Sequence, residues 1–63
     1  MTRLPKRLIH FRRKQNLSQH ALAVAMGVSI SSVRAWEHRR RMPSFRSLLR
    51  LSYILGVKVG DLV

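Results

Sequence analysis

The chain has 63 residues, no cysteine, and thirteen Lys or Arg against two acids, for a formal net charge of +11. That length predicts one small domain. The missing thiols exclude disulfides and thiolate metal sites, and no apolar run approaches the roughly 20 residues of a membrane span. The N-terminus is basic but lacks the long apolar stretch of a signal peptide, so a cytoplasmic protein is expected. Self-repulsion at this charge density points to a polyanionic partner. Nucleic acid leads over an anionic membrane surface, which would call for a long amphipathic helix with a basic face.

A 3.6-residue apolar period runs through the chain and strand alternation is not sustained, which predicts an all-α fold with short connections. Pro5 suits a first helical turn. From it Leu8, Phe11, Arg12 and Gln15 fall on one side, while His10, Arg13 and Lys14 turn away. Asn16 tolerates the left-handed conformation that ends a helix. Ser18 suits the N-cap of a second helix, with Leu22, Ala23 and Met26 inward and Gly27 as its stop. Ser29 caps a third, where Val33, Trp36 and Glu37 share one face and Ser31, Arg34, Ala35 and His38 the opposite one. The stretch "HRRRMPS" reads as a basic loop broken at Pro43. Ser44 then caps a fourth helix expected to carry Phe45, Leu48, Leu49, Ser52 and Leu55 inward and to end at Gly56. A stub of fifth helix is expected to begin near Asp61.

Two short helices joined through a glycine fit a helix-turn-helix. Ala23 is small where the second helix would cross, Gly27 permits positive φ, and Val28, Val33 and Trp36 can hold the second helix down. Taken with "LSQ" at Leu17–Gln19, the Trp36–Glu37 pair and Pro43–Ser44, these spacings resemble the Cro/C1-type (XRE-family) helix-turn-helix domains of phage repressors and small bacterial regulators. The resemblance runs from about Leu8 to Leu62. It implies a five-helix, lambda-repressor-like bundle with a truncated fifth helix, and residues 18–38 as the DNA-binding pair. It further implies a bacterial or phage-encoded regulator that binds double-stranded DNA by sequence, nucleoid-associated when bound, with no cofactor, no metal and no catalysis.

In that family the outward residues of the third helix touch base edges. Carried over, this nominates Ile30, Ser31, Arg34 and Ala35, and the helical face adds His38. Arg34 can make two hydrogen bonds to guanine, or it can sit on a phosphate. Ile30 can meet a thymine methyl or pack on the turn. Gln19 is implied as a phosphate contact that can also brace a side chain of the third helix, with a simple helix-start role as the alternative. Arg39, Arg40, Arg41 and Arg46 are candidates for phosphate contacts that position without reading sequence; a solvated charge run is the plainer reading. The resemblance also implies a structural ion pair between Arg12 and Glu37. Where the family usually has glycine after the third helix, this chain has Arg39, so a different cap is expected there.

Leu51, Ile54, Leu62 and Val63 are expected to form an exposed apolar patch, a contact for a homodimer on DNA or for a further protein. That patch is the cue for an alternative function: an interaction module, such as an antitoxin or adaptor, whose DNA binding is secondary. His10, His20 and His38 lack the company a zinc site or catalytic set needs.

Overall fold

The computed structural model describes residues 2–63, which form five helices: α1 (Leu4–Lys14), α2 (Gln19–Met26), α3 (Ile30–Glu37), α4 (Phe45–Leu55) and α5 (Val59–Leu62). There is no strand among the described residues. None of these helices is long and apolar enough to cross a membrane.

Serines start three of the helices. Ser18, Ser29 and Ser44 have extended backbone and accept from the N–H of Ala21, Ser32 and Ser47 at 2.9, 3.3 and 3.2 Å. Each satisfies a donor that the helix leaves unpaired in its first turn. α1 begins instead beneath Thr2, whose hydroxyl accepts from the Leu4 N–H at 3.1 Å, with Pro5 in the first turn. α5 starts at Val59, two residues earlier than the sequence reading. Asp61 is not its first residue but an acid in its first turn, accepting from the Lys58 N–H at 3.1 Å.

Four helices end in a common way. The residue at Asn16, Gly27, Arg39 or Gly56 turns left-handed, and the next N–H reaches back to the carbonyl five residues earlier. These bonds run from Leu17 to Arg12, Val28 to Ala23, Arg40 to Ala35 and Val57 to Ser52, at 2.9–3.0 Å. This is the bond pattern that closes a helix C-terminus.

The core gathers Leu4, Leu8, Leu22, Ala23, Met26, Val33, Trp36, Leu48, Leu51, Leu55 and Leu62. Here the fourth helix departs from expectation. Leu48, Leu51 and Leu55 face inward, while Phe45 and Leu49 lie exposed. α4 packs against both α2 and α5, and Leu51 and Leu62 join the same core cluster. The buried stripe is thereby turned toward Leu51. The expected apolar patch does not exist as drawn: Leu51 and Leu62 are fully buried, Ile54 is half-buried against the core, and Val63 alone is exposed.

Candidate nucleic-acid interface

α2 and α3 pack closely on each other and α3 also packs on α1. Gly27, at φ 72°, makes the bend between α2 and α3. Val33 and Trp36 bury one side of α3, which leaves Ser31, Arg34 and His38 exposed on the other. Ala35 on that side is half-buried, and its carbonyl accepts the Arg40 N–H. Ile30 is half-buried against the core, so part of its surface is taken by packing on the turn.

The orientation of α3 is set from inside. Arg12 on α1 and Glu37 on α3 are both buried. Arg12 Nε donates to Glu37 Oε2 at 2.6 Å and Nη2 donates to Oε1 at 3.3 Å, a two-point fork. Its third nitrogen, Nη1, donates to the Leu17 carbonyl at 2.8 Å. No buried side-chain nitrogen or oxygen among the described residues is left without a partner. Such a pair is expensive to desolvate but more expensive to break, so it fixes the angle between α1 and α3.

The pair extends outward through Gln19. Gln19 Nε2 donates to Glu37 Oε1 at 2.9 Å, and Arg34 Nε donates to Gln19 Oε1 at 3.5 Å. The carboxylate can only accept, so it turns the amide nitrogen inward and the amide oxygen toward Arg34. The second contact is long and weak. It biases the Arg34 guanidinium without consuming its terminal nitrogens. The brace that the family resemblance implied for Gln19 thus falls on Arg34, and Glu37 is the added partner behind it.

Arg39, Arg40, Arg41 and Arg46 are all exposed on the C-terminal side of α3. Arg41 Nη2 donates to the Ser32 hydroxyl at 3.3 Å, which folds the arginine run back along α3. Arg39 keeps a left-handed backbone, φ 63°, although it is not glycine. The different cap expected from the lost glycine is not what forms; the ordinary turn is kept, at a conformational cost of about 1–2 kcal/mol. Strained positions of this kind gather at functional sites.

Two further capping side chains were not foreseen from sequence. Arg50 Nη1 donates to the Met26 carbonyl at 2.9 Å, and Gln15 Nε2 donates to the Leu55 carbonyl at 3.2 Å. They close the helix ends just before Gly27 and Gly56. Only the fold brings them there. Among the described residues, no three His, Cys, Asp or Glu side chains gather as a group able to hold a metal ion.

The profile of the Helix-turn-helix family, of the Cro/C1 (XRE) type, matches residues 8–62. The chain belongs to this family. Members of this family include the DNA-binding domains of transcription regulators. The restriction-modification controller protein C.AhdI from Aeromonas hydrophila is 30% identical with a TM-score of 0.88, over 95% of this chain and 91% of that one. The DNA-binding domain of the P22 C2 repressor is 31% identical with a TM-score of 0.86, over 95% and 86%. Hydroxypropylphosphonic acid epoxidase from S. wedmorenis also matches, at 26% identity and TM-score 0.87 over 95% of this chain. The chain spans only about a third (32%) of that epoxidase's length. A comparison with curated proteins by sequence finds no match.

Proposed function

We propose that this domain binds double-stranded operator DNA by sequence, with α3 in the major groove, and thereby blocks or recruits polymerase. The observation that carries the reading is the line of contacts from the buried Arg12–Glu37 pair through Gln19 to Arg34. It supports an arginine presented from a rigid base, which is what bidentate reading of guanine requires. Ser31 and His38 flank it as polar contacts, and Ala35 and the exposed part of Ile30 offer apolar surface to a thymine methyl. Arg39, Arg40, Arg41 and Arg46 meet phosphates on either side of the groove, with Gln19 at the start of α2 doing the same through its second Nε2 hydrogen. Two subunits on half-sites about one helical turn apart complete the arrangement.

Net charge reinforces this reading. Glu37 is buried and paired, and Asp61 accepts from a backbone N–H. No other acid exists to neutralise the arginines, so a polyanion is their natural counter-charge.

Selection of bound duplexes from a random pool, followed by salt titration, tests the proposal. An enriched palindrome is expected, with each phosphate-contacting arginine adding about −0.9 to the slope of log affinity against log salt. Equal binding to every duplex overturns sequence reading.

A further inference from the structure

We propose that the outward face of α4 docks an acidic amphipathic helix of a partner protein, sharing only Arg46 with the proposed DNA-contacting set. Phe45, Leu49 and Tyr53 stand in one line at i, i+4 and i+8, and are 67%, 48% and 87% exposed. The line is about 12 Å long, and large apolar side chains in such a row are seldom left to water without a use. Arg46 and Arg50 follow Phe45 and Leu49 by one residue, so they run along one edge of the apolar row. The face is therefore a ridge with an apolar side and a cationic side.

Charge decides the occupant. Arg50 spends one nitrogen on the Met26 carbonyl, and Arg46 makes no hydrogen bond to another described residue's side chain or carbonyl. The chain holds two carboxylates, one buried with Arg12 and one accepting from the Lys58 N–H. A second copy of this chain would bring two more cations to the ridge and no carboxylate to meet them, against a charge of +11 on each copy. Single-stranded nucleic acid supplies the charge but fits the apolar side poorly. Successive bases call for neighbouring aromatic platforms, whereas the two rings stand two helical turns apart with Leu49 between them. A helix with apolar residues at the same i, i+4 spacing and glutamates beside them matches both sides of the ridge.

The test uses the full chain and a synthetic 18-residue helical peptide with leucines on one face and glutamates flanking them. Its controls are the same composition scrambled to remove the apolar face, and the same face with lysine in place of glutamate. Backbone amide shifts on titration should be confined to α4, with binding at least about tenfold tighter than to either control. Leu49→Glu and Tyr53→Glu, both at exposed positions outside the DNA-contacting set, should each lower peptide affinity about tenfold or more. Both should leave the circular dichroism and the preferred duplex unchanged, the added charge within two turns of Arg46 lowering affinity for all duplexes alike. Equal binding of the scrambled peptide would mean simple charge attraction and overturns the proposal. So does a dimer in sedimentation that Leu49→Glu converts to monomer, since the occupant is then a second copy. Displacement of the shifts by oligo-dT, or no shifts at α4 at all, overturns it equally. A failure of duplex selection leaves this result unaffected, because the peptide titration is read at α4 with no DNA present.

Discussion

Gly27 and Arg39 bracket α3 with nearly the same backbone, φ 72° before the helix and 63° after it. Both close the preceding helix with a bond of 2.9–3.0 Å from the next N–H to a carbonyl five residues back. At Gly27 the geometry is free of steric cost. The carbonyl just before it, on Met26, is also capped by Arg50. At Arg39 the same turn carries a Cβ, and no side chain caps the carbonyl of His38 among the described residues. The first turn is built to be rigid. The second accepts strain and leaves a cation exposed at the C-terminal end of α3. What separates them is what each must present: Gly27 presents an angle, and Arg39 presents a charge.

The helix between the two turns is tied to α1 by the buried pair, so the largest break comes from its removal. Glu37→Ala leaves Arg12 buried without a counter-charge and should cost about 3–5 kcal/mol, a large share of what a domain of this size possesses. Urea denaturation measures it. A loss below about 1 kcal/mol would mean that the pair is effectively solvated and does not set the angle of α3.

The helix between the two turns supplies the next contrast. Arg34→Ala should weaken operator binding by about 1–3 kcal/mol and relax preference at one base pair, whereas Arg40→Ala should weaken all sequences alike. Parallel selections with the two variants read this directly. If both lower affinity with preference intact, Arg34 is a phosphate contact and the line of contacts from Glu37 serves stability alone.

Gly27→Ala isolates the conformational part of the first turn. A Cβ there would meet only Arg50 Nη1, at 3.9 Å, which is ordinary contact. The expected loss of about 1–2 kcal/mol is therefore backbone strain with no clash added. A neutral result in thermal unfolding would show that the turn relaxes, and with it the supposed rigidity at this end of α3.

The turns and caps were the part of this fold most legible in the sequence. Ser18, Ser29, Ser44, Asn16, Gly27 and Gly56 act within a few residues of where they stand, so local chemistry suffices to place them. The stripe of α4 was misread because its orientation depends on α5, a one-turn helix whose packing no local pattern announces. Leu51 looked peripheral and Leu49 central; the fold exchanges them. On the interface, the exposed residues of α3 followed from periodicity. The Gln19–Arg34 contact came only through the family resemblance, and the part played by Glu37 behind it did not, since that carboxylate meets Gln19 across two helices. Arg39 shows the same limit from another side. Its departure from glycine was visible, but whether the backbone would yield or hold could not be read from the letter alone. It holds, because the Arg40 N–H and the Ala35 carbonyl still close the helix around it.

That persistence gives the smallest and most discriminating prediction. Arg39→Gly removes the left-handed penalty of about 1–2 kcal/mol in the folded state, while glycine adds about 0.4–1 kcal/mol of unfolded-chain freedom that opposes the gain. The net expectation is a stabilisation of about 0.5–1 kcal/mol, roughly 2–8 °C in Tm for a domain this small. The same variant should bind every duplex more weakly and flatten the salt dependence by about 0.9 in slope, the signature of one lost phosphate contact. Opposite signs for stability and affinity would mean that strain is retained at this position for what the side chain does. If instead the variant is less stable, the turn at Arg39 carries no strain to release, and the contrast with Gly27 reduces to composition.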